Sequence, residues 1–289
     1  MWTPLPLTAL KTRLQVCSRR DLLDAGHSAR GIDRLVNLGQ LQRFGPHWFG
    51  TAITPGEVAR ALRRNHRLTC ASALEVHGVF IPESPWPHEV GRQCSCRTPA
   101  GVIEHRPLRR WPDDEPVMPL RASLRHAVSC LGAEGAAIVL ESALNKGFIT
   151  VDESTELTAH LSLKQLRAIG RVDGRSMSGP ETRVRRFLER QGVEVQPQFH
   201  VASVGFVDML VGDRLVIECD SIAHHTGSNN YAADRRRDQA LAALGFQVIR
   251  LTYQDVMQNW DQTRELLRHL IGRRIHRRPR RRGPGVTKK

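Results

Sequence analysis

The stretch G-F-V-D-M-L-V-G-D-R-L-V-I-E-C-D-S-I-A-H-H, residues Gly205 to His225, decides how this chain is read. Phe206 to Val211 and Leu215 to Cys219 are short runs rich in Val, Ile and Leu, parted by Gly212-Asp213. That is the pattern of two strands joined by a tight turn. Asp208 interrupts the first strand; Glu218 and Asp220 interrupt the second. Side chains alternate along a strand, so Glu218 and Asp220 are expected on one side and Leu215, Ile217 and Cys219 on the other. A bare carboxylate in a buried strand costs several kcal/mol unless a partner or a metal neutralises it. Three of them in one hairpin predict a bound cation.

Working outward, Ser178-Gly179-Pro180-Glu181 starts a helix, with Pro tolerated in the first turn because its missing N–H would be unpaired there anyway. A strand over 193–201, the hairpin, a helix over 231–244, a strand over 246–251 and a helix to about residue 270 follow. The glycine- and serine-bearing segment 171–180 reads as the linker into this domain, set at 176–271.

These residues carry a resemblance. An Asp near the end of one strand and, after a turn, Glu-x-Lys or a substitute in the next resembles the core of the PD-(D/E)XK restriction-endonuclease-like superfamily. The run E-C-D-S-I-A-H-H, then Tyr231, Asp234, Arg237-Asp238 and L-x-x-L-G-F-Q-V-I-R-L-T, is similar to an uncharacterised bacterial branch related to very short patch repair (Vsr) endonucleases. The resemblance implies an αβββαβ core and Mg²⁺ (or Mn²⁺) held at a phosphodiester by Asp208, Glu218 and the backbone carbonyl of Cys219. It makes Glu181 the accessory acid. Asp220 stands where the superfamily usually has Lys; an acid cannot supply that positive charge, but it can ligate a second ion. His224 and His225 are expected proton carriers, suited by a pKa near neutrality, against the alternative of a polar loop. Arg237 reads either as a phosphate clamp or as part of a helical charge network with Asp234 and Asp238.

At the other end, Ser18-Arg19-Arg20-Asp21 has the form of a capping box, and Ser28 caps a second helix ending at Gly39. With the ribbon L-Q-R-F-G-P-H-W-F this predicts a winged helix-turn-helix over residues 1–55. The arrangement resembles the N-terminal domain of AbiEi-type antitoxins. Under that reading Arg30, Arg34 and Arg43, with Ser28 and His47, face DNA; the alternative is a docking module with solvated charges. Residues 56–170 read as a mixed, mainly helical connector, with irregular or short-strand structure over 79–118, in which the run R-A-L-R-R-N-H-R (60–67) is a solvated helix face. The Arg, His and Trp residues interleaved over 79–118 either stack on nucleic acid or fill a small core. The fold class is α/β in a multi-domain α+β arrangement.

At 289 residues the chain holds two or three compact units, and 43 Lys plus Arg against 29 Asp plus Glu, net +14, point to a polyanion partner. Part of that excess lies in the basic run after Arg273, and residues 272–289 are expected to be a disordered tail. Cysteines 17, 70, 94, 96, 130 and 219 show no CxxC spacing, so reduced thiols are expected. Cys94-Ser-Cys96 lies between His88 and His105 but lacks finger-like spacing, which argues against structural zinc. No apolar run is long enough to span a bilayer, and the expected location is the cytoplasm. Three functions are open: a metal-dependent DNA endonuclease, an RNA-directed nuclease, and a DNA-binding regulator or antitoxin with an inactive nuclease fold. A cognate toxin or other protein is a further expected partner.

Overall fold

The computed structural model describes residues 8–92, 100–107, 111, 114–220 and 228–278, with the side chains of 228–234 left aside. The chain divides into two compact units, Met1–Leu140 with Thr150–Gly170, and Glu141–Ile149 with Arg171–Lys289. No helix among the described residues is long and apolar enough to cross a membrane.

The first unit opens with α1 (Ala9–Leu14), β1 (Val16–Ser18), α2 (Arg19–Asp24), α3 (Ala29–Asn37), β2 (Gln42–Phe44) and β3 (Trp48–Gly50). The Ser18 hydroxyl accepts from the Asp21 amide, and the Asp21 carboxylate accepts from the Ser18 amide at 2.6 Å, which closes the capping box. Ser28 caps α3 through the Gly31 amide. The strands form an antiparallel sheet in the order β1-β3-β2. Phe44 and Trp48 enter a core with Leu14 and Val16, while Ile32 of α3 packs with Cys17 and Phe49.

The rest of this unit is a mainly helical region into which three short strands are set. After α4 (Gly56–Arg63) the chain forms β4 (His66–Leu68), α5 (Cys70–Val76), β5 (His88–Gly91) and β6 (Ile103–His105). The order β4-β5-β6 makes a second sheet, antiparallel then parallel. The run expected to be a solvated helix face instead ends in a buried strand. The His66 and Glu89 side chains meet at 3.1 Å, and Arg64 pairs with the same carboxylate. Arg67 donates to the Glu115 carbonyl at 2.8 Å and lies between the rings of Trp48 and Trp111, 4.8 and 5.3 Å away. Trp111 thus packs on Arg67, and burial pulls the Arg67 guanidinium down to about 10. Helices α6 (Leu120–Cys130), α7 (Gly132–Asn145), α8 (Val151–Thr158) and α9 (Leu163–Ile169) follow; α8 is additional to the expected helices and starts with a capping box at Thr150 and Glu153. The last residues of α7 belong to the second unit.

The second unit runs α10 (Gly179–Arg190), β7 (Val195–Val201), β8 (Gly205–Val211), β9 (Leu215–Asp220), α11 (Ser228–Ala243), β10 (Gln247–Thr252), α12 (Tyr253–Met257) and α13 (Trp260–Gly272). Its sheet has the order β10-β9-β8-β7, antiparallel except where β10 joins β9. One face packs Met209, Val211, Leu215, Ile217 and Cys219 with Val184, Phe187 and Leu188 of α10 and with residues of α12 and α13. The other packs Val207, Leu210 and Val216 with Leu241 of α11. Behind α10, fully buried Arg185 is held by Glu141 and by Glu189 at 2.7 Å. Glu141 also accepts from Thr182 Oγ1 at 2.7 Å and the Asp173 amide at 3.0 Å.

The segment after α13 corrects the expected start of the tail. The Asp213 amide donates to the His276 carbonyl at 3.0 Å, and the Arg278 amide donates to Asp213 Oδ1 at 2.7 Å. Gly212 takes φ +63°, and a Cβ there would collide with the His276 carbonyl. Residues 273–278 thus complete the fold, and 279–289 lie outside the described residues.

Candidate active site

The site begins where the β8–β9 ladder ends. Backbone pairing runs from Val211↔Leu215 to Met209↔Ile217 and stops. Beyond it, side chains take over: the Asp208 amide donates to Glu218 Oε2 at 3.1 Å, and the Cys219 amide donates to Asp208 Oδ2 at 2.7 Å. Each acid thus satisfies a backbone N–H that the ladder leaves open, at a depth where an unpaired amide is costly. Strict alternation is lost at the same place, since Val207 packs with Leu210 and Val216 while Met209 packs with Ile217. On the neighbouring strand Gln198 sits at φ +49°, a conformation that costs a non-glycine residue about 1–3 kcal/mol and recurs at functional sites.

Glu181 joins from the first turn of α10. Ser178 caps the helix, and Glu181 Oε2 accepts from the Met177 amide and from Gln198 Nε2, both at 3.0 Å. The Gln198 distortion therefore aims an amide donor at a buried acid. Sequence gives no signal for it, because Gln198 is one of three polar residues in β7, with Gln196 and His200.

The electrostatics follow from burial. The Asp208 carboxyl is pushed up to about 7, first by burial and then by the charge on Glu181; Glu218 adds to this, and the Cys219 amide opposes it. Glu181 is raised by burial and by Glu218, against the hydrogen bonds from Met177, Ser178 and Gln198. Arg237 of α11 reaches Glu218 Oε1 at 3.1 Å and also donates to the carbonyls of Val204, at 3.4 Å, and Phe206. It acts as an internal counter-ion, not as a cation held out to solvent.

The remaining expectations divide. Asp220, at the exposed end of β9, makes no hydrogen bond or ion pair with the other acids among the described residues. Strand parity places it on the side of Glu218 without bringing it into the cluster. The Cys219 side chain is in the core, its thiol raised by burial and then by Asp208. Asp238 pairs with Arg250 of β10 at 2.7 Å, so its partner lies across the sheet and not along the helix. His224 and His225 lie outside the described residues, as does the Asp234 side chain.

In the first unit, Arg30 and Arg34 are exposed on α3. Arg43 is occupied, paired with Asp33 at 2.6 Å and lying over the Phe49 ring at 5.4 Å. A basic cleft of about 350 Å³ is lined by Arg19, Arg20, His47, Arg67, Arg92 and Trp111 among others.

Residues 181–271 match the model of the family REase_MTES_1575, so this segment is a restriction-endonuclease-like domain. The matched span begins at Glu181 and includes Asp208, Glu218 and Arg237. No curated protein matches the chain.

Proposed function

We propose that the second unit is a divalent-metal-dependent endonuclease that hydrolyses DNA phosphodiesters, with Asp208 and Glu218 as metal ligands and Glu181 as the accessory acid. The observation that carries this is a crossed latch: Glu218 holds the Asp208 backbone amide and Asp208 holds the Cys219 amide at the point where the ladder opens, inside a restriction-endonuclease-like domain. The donor set fits a hard divalent ion, because it is all oxygen and because Asp208 keeps its proton to about pH 7 for want of a stronger cation. Mg²⁺ or Mn²⁺, when bound, neutralises phosphate charge and acidifies a water. Asp208 gives up its proton on loading, Gln198 and the Met177 amide keep Glu181 aimed, and Arg237 holds Glu218 in place. The Cys219 carbonyl would complete the protein ligands, Asp220 would serve a second ion, and His224 or His225 would move the proton.

The element order α10-β7-β8-β9-α11-β10 supports the αβββαβ reading and, with E-C-D-S-I-A-H-H, the Vsr-like branch. The order α1-β1-α2-α3-β2-β3 supports a winged helix of AbiEi type in the first unit, with exposed Arg30 and Arg34 and the basic cleft as its DNA-facing groups. One observation favours a second reading: the position of the usual Lys holds an exposed Asp220, as a DNA-binding regulator or antitoxin with an inactive nuclease fold would allow.

The test is cleavage of supercoiled plasmid and of single-stranded RNA by the full chain, with Mg²⁺, Mn²⁺ or neither, beside calorimetric Mg²⁺ titration. Asp208→Ala should lose cutting and Mg²⁺ binding together. A His→Ala change at the working histidine should lose about 10² to 10⁴ in rate with Mg²⁺ binding intact. RNA cut in preference to plasmid would reassign the substrate. Duplex binding without cleavage under either metal would establish the regulator instead.

A further inference from the structure

A second set of metal-type donors lies in the first unit, unused by the carboxylate chemistry. Cys70 opens α5, His88 opens β5, His105 ends β6 and Cys130 ends α6, so four elements each supply one residue. One ligand atom from each lies within 4.8 Å of every other. His88 Nδ1 is 3.0 Å from His105 Nε2 and 3.8 Å from Cys130 Sγ. A tetrahedral zinc ion, with bonds of about 2.0–2.1 Å to nitrogen and about 2.3 Å to sulfur, sets its ligand atoms about 3.3–3.8 Å apart.

The hydrogen bonds around the cluster fix the ring that matters most. Ser84 Oγ donates to the Trp86 carbonyl at 3.1 Å, so its contact with His88 Nε2 at 3.0 Å must be an acceptance from Nε2–H. His88 Nδ1 therefore carries the lone pair, and it faces His105 and Cys130. A ligating histidine commonly donates its outer N–H to a polar group in this way. His126 stacks on His105 with ring centroids 4.7 Å apart, but it is committed elsewhere. Its Nε2–H donates to the Arg106 carbonyl at 3.1 Å and its Nδ1 accepts from Thr69 Oγ1 at 2.7 Å. It orients the His105 ring and adds no ligand. Cys70 has φ +49°, a backbone strain accepted where a side chain must be placed.

We propose that Cys70, His88, His105 and Cys130 form a structural zinc site, with two thiolates, His88 Nδ1 and His105 Nε2 as the ligands. Four protein ligands close a tetrahedral shell and leave no position for a substrate water, which makes the site structural. Thiolate and imidazole select zinc over the hard ions suited to Asp208 and Glu218. The ion would pin β6, a three-residue strand with no fully buried side chain, to α5 and α6. Dismissing zinc from the Cys94-Ser-Cys96 spacing misses this site, because its donors are assembled by the fold. Those two cysteines lie outside the described residues and form the competing donor pair.

The experiment is metal analysis of the full chain purified in reducing buffer without chelators, followed by Co²⁺ exchange. About one equivalent of zinc per chain is expected, and the Co²⁺ form should show tetrahedral visible bands with a thiolate charge-transfer band. Cys70→Ser and Cys130→Ser should each cut the zinc content at least several-fold, while the Cys94→Ser, Cys96→Ser double variant keeps it. Far-UV circular dichroism separates metal loss from misfolding, and the wild-type cobalt spectrum needs no variant at all. Wild-type protein without zinc and without a thiolate–cobalt band overturns the site. So does metal that follows Cys94 and Cys96 instead of Cys70 and Cys130.

Discussion

Asp208→Asn should stabilise the metal-free second unit at neutral to alkaline pH while abolishing metal-dependent cleavage. The Asp208 carboxyl titrates at about 7 in the folded chain against an ordinary 3.8, raised by burial and by Glu181 and Glu218. Between those values the native state holds a proton that the unfolded chain has released, so stability falls as pH rises through the window. The contribution is full below about pH 4 and lost above about pH 7. At about 1.4 kcal/mol per unit, the shift corresponds to at most about 4 kcal/mol, and about 2–4 kcal/mol is the expected range at pH 8. Asn removes the charge and keeps an oxygen for the Cys219 amide, while its NH₂ can donate to Glu218. The assay is hydrogen–deuterium exchange of β8 and β9 peptides across a denaturant series, at pH 5 and pH 8, without divalent ions. The wild type should lose opening free energy between the two pH values, and the variant should lose much less. Equal losses in both, or a variant less stable at pH 8, would refute the account of a proton held by carboxylate crowding.

Three further perturbations probe separate contacts. Arg237→Gln takes from Glu218 the side chain that ties it to the carbonyls of Val204 and Phe206, so Mg²⁺ affinity should change several-fold; an unchanged affinity would leave Arg237 no part in placing Glu218. Glu141→Gln leaves fully buried Arg185 with Glu189 alone, and α10 peptides should lose about 3 kcal/mol of exchange protection. Gly212→Ala sets a Cβ against the His276 carbonyl at positive φ; a loss of about 1–3 kcal/mol with faster exchange over 273–278 is expected, and unchanged exchange there would mean the turn does not rest on that segment.

What could be read from the sequence was what is local. The hairpin at 205–220 announced itself through two short runs rich in Val, Ile and Leu around a Gly-Asp turn, and the helix starts at Ser18, Ser28 and Ser178 through their caps. The juxtaposition of Asp208 and Glu218 followed from their places on adjacent strands, though their hold on the backbone amides of Cys219 and Asp208 did not. Gln198 escaped notice because its role depends on a distorted backbone. β4 was hidden because His66 and Arg67 look solvated until Glu89 and the Glu115 carbonyl are seen to satisfy them. The exposed position of Asp220 was not legible, because alternation gives a side chain its side of the sheet but not its depth. The Cys70, His88, His105 and Cys130 set had no short-range pattern to betray it.

The contact between Gly212-Asp213 and His276 also orders events in time. Synthesis proceeds from the N-terminus at about 5–20 residues per second, so the roughly sixty residues from Glu218 to His276 take about 3–12 seconds to make. Throughout that interval the hairpin bearing Asp208 and Glu218 exists on the ribosome without the segment against which its turn closes. β10, which pairs with β9, emerges within the same interval. The turn is therefore made well before the segment that closes on it, and a nascent chain stalled before residue 276 carries both carboxylates on a hairpin whose turn is unbraced.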